Sequence, residues 1–190
     1  MPLLSKFLTQ ARLSRMKEYL GRKILDVGCG HGELLDYLPS SVERVVLVDK
    51  SFERQARVHE RLSRQSFAGA FVIADIEQEK IPLPPASFDT VVMAALLEHL
   101  KFPAGALREI HRLLEPGGKL LLTTPTPLGG WVHKITSILG LTYREAAEEH
   151  EGFYGRQSLT FLLEQHGFEV RLFNPFLLGL NQFVIARKKE

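Results

Sequence analysis

One cysteine in 190 residues leaves no partner for an internal disulfide and no multi-cysteine metal site. No run of side chains approaches the ~20 apolar residues of a membrane span. Neither sign of charge dominates: 24 basic and 22 acidic residues leave +2, so no strong pull towards nucleic acid or an anionic surface is expected from net charge. Repeats and low-complexity tracts are missing as well. Residues 1–20 place Leu3, Leu4, Phe7, Leu8, Leu13, Met16 and Leu20 at roughly helical spacing, with Lys6, Arg12, Arg15 and Lys17 between them. That pattern lacks the continuous apolar stretch of a signal peptide. It predicts a helical segment over residues 1–22 packed on a sheet edge. With the single cysteine, it points to a cytoplasmic location. What is present, 45% hydrophobic and 24% charged residues, suits one folded domain over 1–190 with a substantial core.

The segment Lys23-Ile24-Leu25-Asp26-Val27-Gly28-Cys29-Gly30-His31-Gly32 carries the most information. Ile24, Leu25 and Val27 read as a buried parallel strand. Three glycines at alternate positions then permit a sharp turn and close approach of a ligand to the backbone. Residues 33–38 read as a short helix stopped by Pro39, and its N-terminus would face a negative group of a ligand. Cys29 is a small spacer within the turn, with no context that marks a reactive thiolate.

Seven strand-like segments follow one another, at 23–27, 44–49, 70–75, 88–94, 119–124, 168–173 and 182–187. Helical patterns fall among the first five. One runs to Arg64 with Ser51 as N-cap, and another covers 104–114 and is ended by Pro116-Gly117-Gly118. Alternating strands and helices mean parallel pairing. Only residues 174–181 separate the last two strands, so that connection joins antiparallel neighbours. The fold class is α/β, a seven-stranded, mostly parallel sheet with helices on both faces and one antiparallel strand near the C-terminus. Residues 125–155 break the alternation. Trp131, Ile135, Ile138 and Leu139 share a helical face there, at the carboxyl end of the fifth strand. A lid over the substrate is the expected role, with peripheral membrane contact through 130–141 as an alternative.

The dinucleotide fingerprint would place its third glycine at position 33, which is Glu33 here. The spacing Gly28-x-Gly30-x-Gly32 after Asp26-Val27 instead resembles motif I of the class I S-adenosylmethionine-dependent methyltransferases. That resemblance extends over almost the whole chain. It implies a Rossmann-like sheet in the order 3-2-1-4-5-7-6 and S-adenosyl-L-methionine as cofactor. Asp26 and the turn (Gly28, Cys29, Gly30, Gly32) would hold the methionine end. Asp49, closing the second strand, would accept from the ribose hydroxyls with Lys50 beside it. Asp75 would accept from the adenine amino group, and Ile76 would pack on the ring. Ala94 lies at the ligand end of Phe88-Asp89-Thr90-Val91-Val92-Met93-Ala94, which resembles motif IV, and Asp89 at its far end reads as structural.

Ala94-Ala95-Leu96-Leu97 departs from the Asn/Asp-Pro-Pro-Tyr pattern of enzymes that methylate planar amines. Leu97-Glu98-His99-Leu100 resembles the small-molecule branch that includes ubiquinone-biosynthesis O-methyltransferases. His99 is the candidate general base for a hydroxyl acceptor. Some relatives bind a divalent metal here through two Glu and a His, but Ala95 stands in the first Glu position, so no metal is expected. His150-Glu151-Gly152-Phe153-Tyr154 resembles a stretch that lines the acceptor pocket in relatives. Trp131, His133, His150 and Tyr154 are accordingly the candidate substrate contacts. The expected function is methyl transfer to a small-molecule acceptor, with a catalytically inactive regulatory or assembly protein and a nicotinamide-dependent oxidoreductase as competitors. Oligomeric state is not legible in the sequence.

Overall fold

The computed structural model describes residues 3–138 and 152–189. Seven strands form one sheet: β1 (Lys23–Val27), β2 (Arg44–Asp49), β3 (Ala68–Ile73), β4 (Phe88–Ala94), β5 (Leu114–Pro125), β6 (Phe168–Phe176) and β7 (Asn181–Lys188). Their order is β3-β2-β1-β4-β5-β7-β6. Only β7 runs against its neighbours, pairing antiparallel with both β5 and β6. The remaining pairs are parallel. β1 lies between β2 and β4, so the chain leaves it in opposite directions, and a crevice opens at the carboxyl ends of these strands.

Alternation along each strand divides the core in two. Leu25, Val27, Val46, Val48, Val91, Met93, Leu120 and Leu122 face one side. There they meet α3 (Pro103–Leu113) through Leu107 and Ile110, and α5 (Arg156–Gln165) through Leu159 and Leu163. Ile24, Val45, Leu47, Val92 and Leu121 face the other side. They meet α1 (Leu3–Met16) through Leu13 and Met16, and α2 (Gln55–Leu62) through Val58. α1 therefore packs on a sheet face rather than on an edge. Tyr19, just beyond it, stacks on Phe183 of β7 with ring centroids 5.6 Å apart.

Four local expectations change. Residues 33–37 form a 3₁₀ stretch rather than an α-helix. Ser51 does not cap α2: its hydroxyl turns to Glu53, and a 3₁₀ turn at Phe52–Arg54 precedes the helix. Pro116-Gly117-Gly118 does not terminate α3. The helix passes into β5 at Leu114, and the three residues form a bulge between the Phe88–Leu114 and Thr90–Lys119 pairings. β3 ends at Ile73, so Asp75 lies just past the strand rather than closing it.

At the end of the sheet opposite the crevice, Asp89 orders the entry to β1. Its carboxylate accepts from the backbone N–H groups of Arg22 and Lys23 at 2.9 and 2.8 Å and from the Thr90 hydroxyl at 2.7 Å. Gly21 is needed beside it, since a Cβ there would sit 1.8 Å from Asp89 Oδ1. Asp89→Ala should lower stability by about 1–2 kcal/mol, by removing a charged acceptor from two backbone donors. Urea unfolding checks this, and an unchanged midpoint would exclude the ordering role.

Candidate functional site

The crevice is a cavity of about 590 Å³ at the carboxyl ends of β1 to β4. Val27 and Gly28 of the first strand end, Val48 and Asp49 of the second, Ala74 to Glu77 after the third, and Ala95 and Leu96 after the fourth line it. His31, Lys50, Ser51, Arg54, His99 and Leu100 complete the wall.

The glycine turn is built against β2. Gly28 and Cys29 both donate their N–H groups to Val48 O, at 2.8 and 3.1 Å. Gly30 donates to Asp49 Oδ2 at 2.9 Å, His31 to Glu33 Oε2 at 3.2 Å, and Gly32 to Cys29 O at 2.9 Å. Every N–H from Gly28 to Gly32 is thus used within the protein. The expected anion site at a helix N-terminus is not formed, because the helix is a 3₁₀ stretch and Glu33 covers the N–H of His31. Gly28 has φ +70° and packs on the Leu96 side chain, where an added Cβ would lie 2.9 Å from Cδ1. Only glycine meets both demands.

Asp49 is the polar anchor of the wall, 5% exposed. Its Oδ1 accepts from Ser51 N at 3.0 Å; its Oδ2 accepts from Gly30 N and from Arg54 Nη1, the latter at 2.8 Å. Arg54, 40% exposed at its side chain, is the mobile-ended member of this set. Asp75 is half-buried; its Oδ1 accepts from Glu77 N at 3.0 Å and its Oδ2 from the Gln78 amide at 3.1 Å. Ile76 is buried beside it. Asp26 is also buried, on the Ile24 face of β1, and does not line the cavity. Burial, with Glu33 and Asp49 as negative neighbours, pushes its carboxyl up to about 8. Burial and the same acids push the Cys29 thiol far above its ordinary value, which leaves it a spacer and no nucleophile.

Of the cofactor candidates, Gly28, Asp49, Lys50, Asp75 and Ile76 therefore meet on one cavity, and His99 faces them from the turn after β4. Asp26, Cys29, Gly30, Gly32 and Ala94 stand behind the wall; Ala95, with φ +54°, takes the lining position expected of Ala94. The acceptor candidates are more scattered. Trp131, on α4 (Pro127–Ile138), is 70% exposed and outside the cavity lining. Tyr154 is half-buried, packs against the first core and is fixed by its carbonyl, which accepts from the Gln182 amide at 2.6 Å. The side chain of His133, and His150 altogether, lie outside the described residues, as does the part of the expected lid from 139 to 151.

Three residues near the site had escaped the sequence reading. Arg54 is one of several arginines after Asp49, and only the fold brings it to the carboxylate. Thr124 of β5 donates its hydroxyl to Glu98 Oε2 at 2.9 Å, and Glu98 is 1% exposed next to His99. Arg12 of α1 is held low by burial, and the charge of Glu98 opposes that shift. No periodicity marks a helix arginine for a strand-end glutamate. Among the described residues no cluster of His, Cys, Asp or Glu is arranged to hold a metal ion, and no helix is long and apolar enough to cross a membrane.

The arrangement defines an α/β domain with a ligand cavity at its topological switch point. The sequence model of a family described as "Methyltransferase domain" matches residues 4–172, and the chain belongs to that family. A protein of Mycolicibacterium smegmatis named "Probable S-adenosylmethionine-dependent methyltransferase" is 34% identical over 152 residues, 79% of this chain and 53% of that protein. A ubiquinone biosynthesis O-methyltransferase of Xanthomonas euvesicatoria is 36% identical over 115 residues, 59% of this chain and 46% of the enzyme. The chain thus spans about half the length of these curated relatives. Among solved structures, an S-adenosylmethionine-dependent methyltransferase of Mesorhizobium loti superposes with a TM-score of 0.71 at 18% identity, over 92% of this chain and 96% of that one. The cyclase SpnF gives the same TM-score, 0.71, at 19% identity over 93% of this chain and 80% of its own. These two likenesses concern the fold.

S-adenosylmethionine, the cofactor this family and fold imply, suits the donor set. Asp49, Asp75 and Glu77 line the strand ends, where its ammonium and sulfonium would find carboxylates, while Ile76, Ala74 and Leu100 offer an apolar slot for a flat ring. A cationic neighbour would draw Asp26 towards its charged form. Without ligand, its raised pKa means that the folded protein holds a proton that the unfolded chain has lost. Stability from this group is present below about pH 4 and declines as pH rises towards about 8. Asp26→Asn should therefore gain stability relative to wild type on going from pH 5 to pH 8, read by urea unfolding. A difference independent of pH would show that Asp26 is charged throughout.

Proposed function

We propose that the chain transfers a methyl group from S-adenosylmethionine to a small-molecule acceptor, at a hydroxyl oxygen. The observation that supports this reading most is the meeting of two strand-end acids, Asp49 and Asp75, on one cavity beside the glycine turn. Bound there, the cofactor supplies a methyl group already activated for direct displacement. The protein's share is alignment, a dry site and the removal of one proton.

Asp49 would accept from the ribose hydroxyls. A carboxylate has about four lone-pair sites, and Gly30 N, Ser51 N and Arg54 occupy three. The backbone donors belong to the fold, so Arg54 is the partner that gives way. Asp75 would accept from the adenine amino group while Ile76 packs on the ring, and Asp26, behind the wall, would act on the cationic methionine end through its charge alone. His99, across the cavity, would take the acceptor's proton as the displacement proceeds. Glu98 and Thr124 brace the turn that carries it.

A second reading, a binding protein that has lost turnover, draws on the ion pair between Arg54 and Asp49, which closes the ribose position. Calorimetric titration with S-adenosylmethionine, its demethylated product and NAD separates the possibilities. Binding of the first two without NAD is expected. Asp49→Ala should weaken it by about 1.5–3 kcal/mol, the worth of hydrogen bonds to a charged group. His99→Gln should leave binding intact and lower turnover on a hydroxyl acceptor by about 10²-fold or more. Cofactor binding with no turnover across an acceptor panel would favour the second reading; tight NAD binding would end both.

A further inference from the structure

We propose that Arg54 and Glu33 form a latch on the ribose position, in which cofactor entry hands the Arg54 guanidinium from Asp49 to Glu33. The inference rests on the methyl-transfer reading, which puts the ribose hydroxyls at Asp49. It adds two residues that set how tightly the cofactor is held.

The structure describes the closed state. Arg54 Nη1 lies 2.8 Å from Asp49 Oδ2, and the Arg54 side chain is part of the cavity wall. Gly30 N and Ser51 N hold two of the carboxylate's roughly four lone-pair sites, and Arg54 holds a third. A ribose brings two hydroxyls, so it gains full contact only when the guanidinium leaves.

The elements around Arg54 fix where it goes. A Cβ built on Gly30 would stand 3.9 Å from Arg54 Nη1 and 3.5 Å from Glu33 Oε2. The cation and the second acid thus lie within 4 Å of one point, and rotation of the Arg54 side chain crosses the gap. The backbones on both sides are held. Ser51 N on Asp49 fixes the entry to the turn at Phe52–Arg54, and Val58 roots α2 in the core. Arg61 of α2 pairs at 2.7 Å with Asp36, in the same 3₁₀ stretch as Glu33. α2 and that stretch therefore keep their spacing while the side chain moves.

Glu33 suits the second position. It accepts the His31 N–H at 3.2 Å and keeps lone pairs for a cation. It does not line the cavity, so a guanidinium resting on it clears the ribose position. Glu53 is the rival acceptor, next to Arg54 in sequence. Its Oε2 already accepts the Ser51 hydroxyl at 2.6 Å, and it is exposed, where an ion pair is worth little. The latch makes an unusual demand: losing a cation of the cavity wall tightens cofactor binding, and losing an acid outside the cavity weakens it.

Calorimetric titration of the full chain with S-adenosylhomocysteine, the demethylated product, tests this. Arg54→Met should tighten binding by about tenfold, since Asp49 then awaits the ribose without a competitor. Arg54→Gln, which leaves a polar side chain in the cavity, should tighten it likewise, and melting curves show that each variant is folded. Glu33→Gln should weaken binding by about threefold, on the scale of a half-exposed ion pair. In the Arg54→Met background, Glu33→Gln should change nothing, and this non-additivity is the signature of the hand-over. Glu53→Gln should bind as the unaltered protein does. Unchanged or weaker binding in both Arg54 variants overturns the latch. An equal loss from Glu33→Gln in both backgrounds places Glu33 on the ligand itself and overturns the hand-over, as does a loss from Glu53→Gln matching that from Glu33→Gln. Product binding by neither the unaltered protein nor Arg54→Met ends the methyl-transfer reading and the latch together, whereas equal binding by both ends the latch alone.

Discussion

The carboxylate of Asp49 ties together the glycine-turn side of the cavity. It ends β2, receives Gly30 from the turn after β1, holds Ser51 at the start of the next connection and draws in Arg54. Buried, it is tolerable only because these donors surround it. With Val48 O taking the N–H groups of Gly28 and Cys29, the glycine turn is folded by its neighbour strand rather than by its own sequence. Its glycines supply conformational freedom and closeness, but its N–H groups are consumed. The glycine turn thus offers a ligand no free backbone donor, unlike a phosphate cradle. That disfavours a pyrophosphate.

Much of this was legible in the sequence, because burial on both faces of a parallel sheet writes itself as uninterrupted apolar runs. β1, β2 and β4 begin and end where Ile24 to Val27, Val45 to Val48 and Phe88 to Ala94 suggest. The reversed strand followed from the shortness of the connection between β6 and β7. The misreadings arise where a partner, near or far in sequence, overruled a residue's own preference. Pro116-Gly117-Gly118 reads as a stop, yet pairing with Phe88 and Thr90 on either side draws it into β5 as a bulge. Ser51 reads as a cap, yet Asp49 takes its N–H and Glu53 its hydroxyl. The amphipathic residues before Leu20 read as an edge helix, yet Leu13 and Met16 join the core on one face of the sheet.

For the site, Asp49 stood out in the sequence because it ends the apolar run of β2, and Asp75 because it follows the run of β3. Arg54, Thr124 and Arg12 did not. Each matters through an ion pair, a hydrogen bond or a charge reaching across elements, and none lies at a periodic position that singles it out. Trp131 shows the converse: an apolar helical face was visible in sequence, but whether it turns inward or outward depended on Gly129 and Gly130. Those glycines let Leu180 and Phe153 approach α4 and leave Trp131 facing solvent.

The two walls of the cavity are made by different means, and this explains why the cofactor is easier to infer than the acceptor. The first wall is strand ends and backbone, set by register and therefore shared by any chain with this sheet. The second depends on Glu98. It is nearly inaccessible, accepts the Thr124 hydroxyl from β5 and lies within electrostatic reach of Arg12 from α1. Its own carbonyl accepts the N–H of Gly152, at 3.4 Å, where the chain returns from its insertion. One buried residue thus gathers an N-terminal helix, a strand end and the insertion's return around the turn bearing His99. The first and last of these lie outside the alternating strand–helix plan. A change in any of them would reshape the wall around His99 and leave β1, β2 and their acids untouched. A likeness of fold therefore carries the strand-end scaffold alone.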